Sequence, residues 1–299
     1  MFAKWNSKTA YGLAKNVVDQ NFNESMNLKL VRFGENAIFK LLEKPLSVRV
    51  YRSPDKLNTA IKCSAVGSIL QEVNFPSVYP ALNGEVFIES GHPVSFWKWE
   101  KEDAGRDFEW TEFGNLVGKF HEVLNDAPIT FPEFKPLEKI RNRLDTLAVQ
   151  NVLNREEVEV LEDAYRNCES LKIINVLRDS ESTIHADAHR GNTLRTNRGL
   201  LLLDFDNVCK GPAVWDAIST TIATRRFGVP VKYYKDFLLG LKVNDFDEKL
   251  LNEAVLLKEL SMTSWLCQNK GYSDEIDTEI ALRIESWKKG LRYNRWHAR

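Results

Sequence analysis

One stretch in the second half of the chain restricts its possible folds more than any other. Residues 185–192 read HADAHRGN, and residues 197–206 read NRGLLLLDFD. A run of four leucines after the turn signal NRG is typical of a short buried strand rather than of a helix. Such a strand would carry Asp204 to the rim of a cleft, and the preceding loop would bring Asp187 and Asn192 to the same place.

These three side chains predict phosphoryl-transfer chemistry. Asp187 would orient an attacking hydroxyl and accept its proton, while Asn192 and Asp204 would hold Mg²⁺ through oxygen atoms, which a hard cation prefers. A rival interpretation uses His185, Asp187 and His189 as metal ligands, as in metal-dependent hydrolases, because an extended stretch puts alternate side chains on one face. The rival leaves Asn192 and the Asp-Phe-Asp triplet without a role, so phosphoryl transfer is favoured.

The same residues carry a resemblance to a known family. The loop resembles the His-Gly-Asp-x-His-x-Gly-Asn motif of the aminoglycoside phosphotransferase and choline kinase-like small-molecule kinases, with Ala186 in place of the usual glycine. The Asp-Phe-Asp triplet and the segment GPAVWD at residues 211–216 are also similar to motifs of that family. The family is related to the eukaryotic protein kinases.

The resemblance implies an α+β, two-lobed protein kinase-like fold. A small antiparallel β-sheet would form an N-terminal, nucleotide-covering lobe over residues 1–100. A mainly helical C-terminal lobe over residues 101–299 would hold the catalytic loop and the acceptor site. His185, His189 and Asp216 would support the catalytic loop without taking part in the chemistry. Asp206 would be either a further metal contact or an anchor of the loop.

The first 50 or so residues contain a candidate phosphate-binding cation. Hydrophobic alternation predicts strands over residues 28–33, 37–42 and 47–52. In the third strand Arg49 alternates with Val48 and Val50, so it points to the opposite face. By resemblance, Arg49 takes the place of a basic residue that faces the phosphates of ATP or GTP, and a guanidinium can contact two phosphate oxygens at once. A solvated strand arginine is the alternative.

The resemblance assigns three further residues to the nucleotide. Gly34 and Asn36 lie in a turn that would cover the phosphates with backbone N–H groups, and Trp99 lies where the last strand runs into the hinge. A plain hairpin turn and core packing are the alternatives. The family also has a helix glutamate that pairs with the basic strand residue. Here Ser64 stands at the expected position of the helix predicted over residues 59–71.

Composition excludes several other classes of protein. The formal net charge is −1, which gives no support for binding to nucleic acid or to an anionic membrane surface. No apolar run reaches the about 18 residues of a transmembrane helix, and residues 1–15 lack the apolar core of a signal peptide. The four cysteines are scattered and form no Cys-x-x-Cys pair, so we expect reduced, buried thiols in a cytoplasmic protein.

Together these features predict an enzyme that uses ATP or GTP with Mg²⁺ to phosphorylate a hydroxyl group of a small molecule. Aminoglycoside-, choline- and sugar-like acceptors stay open. Glu248, Glu253 and Glu259 on one predicted helix do not make the dense acidic surface that a polycation favours. The alternative is a catalytically weak, nucleotide-binding pseudokinase or regulatory binding protein, favoured by the missing helix glutamate. The sequence does not predict an oligomeric state.

Overall fold

The computed structural model describes residues 5–103, 105, 108–242, 247–290 and 294–297. The chain divides into two compact units, the first formed by residues 1–108 and 190–207 and the second by residues 109–189 and 208–299. The β-sheet lies in the first unit and the second unit is mainly helical, so the predicted α+β class is confirmed. Residues 190–207 belong to the first unit, whereas the sequence-based division assigned them to the C-terminal lobe.

The elements are numbered along the chain. The strands are β1 (Leu28–Phe33), β2 (Asn36–Leu41), β3 (Leu46–Tyr51), β4 (Val86–Glu89), β5 (His92–Lys98), β6 (Thr183–Ile184), β7 (Thr193–Thr196), β8 (Gly199–Leu202) and β9 (Cys209–Lys210). The helices are α1 (Ser7–Asn21), α2 (Leu57–Glu72), α3 (Trp110–Asn125), α4 (Pro136–Val149), α5 (Arg155–Glu169), α6 (Ile173–Arg178), α7 (Trp215–Arg226), α8 (Val231–Leu241), α9 (Glu248–Cys267) and α10 (Asp274–Lys288).

The sheet of the first unit is antiparallel and has the strand order β1-β2-β3-β5-β4. Because side chains alternate between the two faces of β3, Val48 and Val50 are buried in one apolar core with α1. The Arg49 side chain lies on the opposite face of the strand. Helix α1 begins after Asn6, whose side chain accepts the N–H of Thr9 as a helix cap. The three strands predicted over residues 28–52 are therefore confirmed, each within a residue of its predicted bounds.

Asn83-Gly84 is a strong two-residue turn signal and predicts a hairpin between residues 78–82 and 85–89, but these residues, all of them described, form no hairpin there. Residues 82–84 form a short 3-10 turn, and the preceding residues make only an isolated bridge at Pro80. Strands β4 and β5 pair through the next turn instead, where Ser90 and Gly91 have φ values of 49° and 85°. Positive φ at both central residues matches the twist of the two strands, so this second turn closes the hairpin.

The leucine run forms strand β8, as predicted, and pairs with β7 through a turn at Asn197-Arg198, followed by Gly199 with a φ of 110°. The three leucines of β8 are buried. The hairpin is attached to the first unit by the N–H of Leu202, which donates to the carbonyl of Pro76 at 3.0 Å. Its last strand runs directly into Asp204.

One apolar core runs through α4, α5, α7, α9 and α10 of the second unit. Helices α3 and α8 pack closely at Gly114 and Gly240. A Cβ atom added at either glycine would lie 2.1 Å from a backbone oxygen of the other helix, so only glycine fits. The amphipathic pattern over residues 155–177 predicts a single helix, but the structure has two separate helices there, α5 and α6. The carboxylate of Glu253 on α9 accepts the N–H of Ile173 at 3.0 Å, and this cap stabilises the start of α6.

The described end of the chain docks on the second unit. Trp296 is 2% exposed and lies between the guanidinium groups of Arg226 and Arg283, each 4.5 Å from the ring centre. All four cysteines are buried and outside any disulfide, as expected of reduced thiols. None of the described helices combines the length and the apolar character needed to cross a membrane.

Candidate active site

In the first unit, the carboxylate of Asp206 gathers side chains from three elements. Arg49 of β3 donates from Nη2 to Asp206 Oδ2 at 2.6 Å, and Asn36 of β2 donates from Nδ2 to the same oxygen at 3.3 Å. Cys63 of α2 donates from Sγ to Asp206 Oδ1 at 3.0 Å. These four residues form the Asp206 cluster. These three hydrogen bonds use most of the about four lone-pair sites of the carboxylate, which favours Asp206 as an anchor of the loop over a second metal contact.

The Asp206 cluster holds Arg49 in place. Burial by itself would lower the pKa of the guanidinium, but the neighbouring Tyr51 and Asp206 outweigh it and raise that pKa above its usual range. Arg49 therefore stays cationic. The family pattern puts a helix glutamate opposite this cation, whereas here Ser64 donates to the carbonyl of Gly84. Asp206 supplies the carboxylate partner that α2 lacks.

Lys62 is a site residue that the sequence did not reveal. Its Nζ donates to the backbone carbonyl of Asp206 at 2.8 Å, which puts a second cation beside the Asp206 cluster. Burial and the charge of Asp206 raise the pKa of the Cys63 thiol well above its usual range and keep it a neutral donor. Helix α2 thus presents a cation and a thiol just before Ser64. Lys62 and Cys63 lie within one helix turn of Ser64, so they become candidates once polar side chains other than carboxylates are considered there.

Asn192 and Asp204 lie at the same end of the β7–β8 hairpin, because the N–H of Leu203 donates to the carbonyl of Asn192 at 2.9 Å. Asp204 has a φ of 64°, in the left-handed region that residues other than glycine rarely adopt. Its Oδ1 is buried and has no hydrogen-bond partner among the described residues, and Arg49 Nη2 is 3.6 Å away. Mg²⁺ is usually held by one or two carboxylates together with substrate phosphates. A carboxylate oxygen without a hydrogen bond from the described residues, at the end of the hairpin that also carries Asn192, fits such a cation.

Two of the other predicted nucleotide contacts have structural partners in the first unit. The N–H of Gly34 donates to the carbonyl of Asn36 at 3.1 Å, and the Gly34 carbonyl accepts from the indole of Trp5 at 3.0 Å. The N–H of Trp99 donates to the carbonyl of Pro45 at 2.8 Å. Their contact with a nucleotide stays a prediction, and of the predicted set only Asn36 and Arg49 join the Asp206 cluster.

In the second unit, Asp187 is held by a lysine that the sequence did not reveal. Lys258 of α9 donates from Nζ to Asp187 Oδ1 at 3.0 Å, and His189 Nε2 lies 3.7 Å from Asp187 Oδ2. Burial by itself would raise the pKa of Asp187, but Lys258 and His189 outweigh it and hold that pKa well below its usual range. The side chain is still 32% exposed. Asp187 is therefore an ionised carboxylate that a hydroxyl group can reach.

A buried network behind Asp187 positions the predicted catalytic loop. Asp216 Oδ2 accepts the backbone N–H of His185 at 2.8 Å and bonds to His121 Nε2 at 2.7 Å. Trp215 Nε1 donates to the carbonyl of Ala186 at 3.3 Å. Ala186 has a φ of 63°, which is a physical reason for the glycine that the family usually carries there.

The rival interpretation of residues 185–189 as a hydrolase metal site is wrong. His185 is fully buried, and its ring packs against Phe120 with 5.5 Å between the ring centres. Within the described part of the chain, no three His, Cys, Asp or Glu side chains are placed to hold a metal ion. His189 lies beside Asp187 instead, with its Nε2 3.7 Å from Asp187 Oδ2.

We expect Asp216→Asn to destabilise the protein. The carboxylate is fully buried and both of its hydrogen bonds are on Oδ2, so the replacing amide would bury its N–H₂ group at the Oδ1 position, where the described residues offer no hydrogen-bond partner. The free energy of unfolding should fall by about 1–3 kcal/mol, the usual cost of a buried polar group left unsatisfied. Urea unfolding measures the change. Asp236→Asn on the partly exposed side of α8 is the control, expected to change stability by less than about 0.5 kcal/mol. Equal unfolding midpoints for the two variants would contradict the role of Asp216.

The sequence matches one family model. The model of APH, a phosphotransferase enzyme family, matches residues 35–248. No curated protein matches the sequence.

Several solved structures share the fold. Amicoumacin kinase hAmiN, in complex with AMP-PNP, Ca²⁺ and Ami, has a TM-score of 0.71 at 12% identity, covering 98% of both chains. The GDP and kanamycin complex of APH(2")-IIia has a TM-score of 0.66 at 12% identity, covering 92% of this chain and 98% of that one. A choline/ethanolamine kinase family protein from Mesorhizobium loti has a TM-score of 0.60 at 15% identity, covering 94% and 93%. At these identities the likeness shows the fold.

Proposed function

The chain belongs to the APH phosphotransferase enzyme family, and from that membership we propose that it transfers the γ-phosphate of ATP to a hydroxyl group of a small molecule, with Mg²⁺. ATP is proposed because hAmiN binds AMP-PNP, an ATP analogue. GTP is the second candidate, because the APH(2") structure contains GDP. A small acceptor is proposed because that structure also contains kanamycin.

The observation that carries the proposal is the buried Oδ1 atom of Asp204, together with the left-handed backbone of this residue. Its Oδ1 is buried with no hydrogen bond among the described residues and only a 3.6 Å ion pair to Arg49, which is costly, and its left-handed backbone is of the kind that clusters at functional sites. Both carboxylate oxygens of Asp206, two residues along the chain, accept hydrogen bonds instead. Asn192 and Asp204 would hold the divalent cation through their oxygen atoms. When bound, the cation would neutralise charge on the phosphate oxygens of the nucleotide.

In the proposed reaction, the acceptor oxygen forms a bond to the γ-phosphorus. The bond from that phosphorus to the β–γ bridging oxygen breaks, ADP leaves, and the hydroxyl proton goes to Asp187. Its lowered pKa makes Asp187 a weak base, which suits a loose transition state in which the acceptor needs little activation. Arg49 and Lys62 would bind phosphate oxygens, because both are cations held beside the Asp206 cluster.

The pseudokinase alternative rested on the missing helix glutamate. Because Asp206 pairs with Arg49 at 2.6 Å, the strand cation has a carboxylate partner without that glutamate. This pairing supports an active enzyme over a silent binder. A cytoplasmic location, suggested by the reduced cysteines, stays a prediction.

Acceptor-dependent ADP release tests the proposal. The purified chain is incubated with MgATP or MgGTP and with aminoglycosides, choline, sugars and hydroxy acids, and products are identified by mass spectrometry. We expect at least one acceptor to gain a single phosphoryl group. Excess EDTA should abolish turnover and added Mg²⁺ should restore it, because a cation is needed to neutralise the phosphates. Turnover that persists in EDTA would contradict the metal assignment, and no phosphorylated product from any acceptor would contradict the proposed function.

A further inference from the structure

The contact between Lys258 and Asp187 puts a fixed cation at the proposed site of proton transfer. Their charged atoms are 3.0 Å apart, and the Lys258 side chain is only 14% exposed. A hydroxyl that donates to Asp187 would sit about 3 Å from the carboxylate. The ammonium group of Lys258 therefore borders any acceptor that reacts there.

The packing of α9 keeps Lys258 directed at Asp187. Leu257, one residue before it, is fully buried in the core. Glu259, one residue after it, is 2% exposed and is bound by Arg226 through two hydrogen bonds of 2.6 and 2.8 Å. A buried pair with two parallel hydrogen bonds restricts rotation of the helix. Lys258 is thus a fixed feature of this side of α9.

The glutamates of α9 that could attract a cationic acceptor are engaged or distant. Glu253 caps the N–H of Ile173 at 3.0 Å, and Glu259 pairs with Arg226. Glu248 is exposed in the first turn of α9, ten residues from Lys258, which is about 15 Å along the helix axis. None of the three can neutralise an ammonium group placed beside the reacting hydroxyl, and the charge of Asp187 itself is already paired with Lys258.

We infer that Lys258 selects acceptors that place oxygen atoms, and not ammonium groups, beside the reacting hydroxyl. A neighbouring hydroxyl, ether or carboxylate oxygen can accept a hydrogen bond from the lysine, whereas an ammonium group would meet a like charge in a partly desolvated site. The acceptors are therefore polyhydroxyl compounds and hydroxy acids, and polycationic aminoglycosides are poor substrates. This inference rests on the proposed function, because it requires that the acceptor hydroxyl react at Asp187.

Matched acceptors that differ in one group test this selection. Glucose, glucosamine and N-acetylglucosamine carry a hydroxyl, an ammonium and a neutral amide at the same position, and kanamycin is the polycationic probe. For any other hydroxyl acceptor that supports ADP release, kcat/KM is compared with that of the analogue that carries an amino group in place of one hydroxyl. At mildly acidic pH, where the amines are protonated, kcat/KM should be about 10-fold or more higher for the oxygen-bearing member than for the ammonium-bearing one.

Variants of Lys258 separate selection from a structural role. Lys258→Gln removes the charge and should narrow the preference to within about 3-fold, while Lys258→Arg keeps the charge and should retain it. A merely structural role would lower the rates with both acceptors and leave their ratio unchanged. Lys249→Gln, in the exposed first turn of the same helix, is the matched control and should leave the ratio and both rates as in the wild type.

A wild-type preference for the ammonium-bearing member would overturn this inference and leave the proposed function in place. An unchanged ratio in folded Lys258→Gln would overturn it as well. If Lys258→Gln does not fold, the ratio of kcat/KM for the oxygen-bearing and the ammonium-bearing acceptor, measured with the wild type, decides whether the inference holds. If no acceptor of any charge is phosphorylated, the proposed function fails, and the selection at Lys258 fails with it.

Discussion

Asp187→Asn should lower kcat for acceptor phosphorylation by about 10²–10⁴-fold, the range found when a general base is lost. Asp187 is the proposed proton acceptor, and Lys258 and His189 keep its carboxylate ionised. An amide oxygen can still accept a hydrogen bond from the hydroxyl but cannot take its proton. The KM for ATP should change little, because the phosphate contacts are assigned to Arg49 and Lys62.

The same substitution leaves the Lys258 ammonium without its carboxylate, so the fold must be checked beside the rate. Urea unfolding and titration with a fluorescent ATP analogue give stability and nucleotide affinity separately from turnover. Asp179→Asn, at an exposed position of the same unit, is the control and should behave as the wild type. A kcat for Asp187→Asn within about 3-fold of the wild type would remove Asp187 from the chemistry.

The candidate site residues of the loop could be named from the sequence because they are close along the chain. Asp187, Asn192 and Asp204 are separated only by a turn signal and a short apolar strand, so their spacing is visible without any tertiary information. Lys258 could not be predicted in this way. It reaches Asp187 from α9, 71 residues away, and nothing in its local sequence distinguishes it from a solvent-facing lysine. Lys62 was missed because the family pattern asks for a carboxylate on α2.

The errors in the predicted fold have the same origin. Asn83-Gly84 is a strong hairpin signal by itself, but Gly84 packs so closely on Ser64 that an added Cβ would lie 2.8 Å from its Oγ. The chain turns back at Ser90-Gly91 instead. The helix predicted over residues 155–177 breaks where a glutamate of α9 caps the start of α6. Both are tertiary contacts, which override local propensity and leave no periodic signal. The first three strands of the first sheet, predicted from alternation alone, match the structure within a residue.

Asp204→Asn should lower kcat at saturating ATP by about 10²–10³-fold, the usual cost of removing one electrostatic stabiliser. It should also raise the Mg²⁺ concentration needed for half-maximal activity. Asparagine tolerates the φ of 64° found at this position, so the substitution changes the charge of the proposed ligand and spares the backbone. Alanine would add backbone strain to the loss of charge and would be harder to interpret.

Asp206→Asn is the matched comparison, because it makes the same chemical change two residues along the chain. The oxygens of Asp206 are occupied by Arg49, Asn36 and Cys63, so its loss should release Arg49 and raise the KM for ATP. The Mg²⁺ midpoint should then move much less than in Asp204→Asn, which Mg²⁺ titrations of ADP release at fixed ATP would measure. A carboxylate that binds the metal needs a free lone pair, whereas hydrogen bonds take up most of the lone pairs of a carboxylate that anchors the loop. Equal shifts of the Mg²⁺ midpoint in both variants would mean that the two carboxylates share the cation, and that their hydrogen bonds are not a guide to their roles.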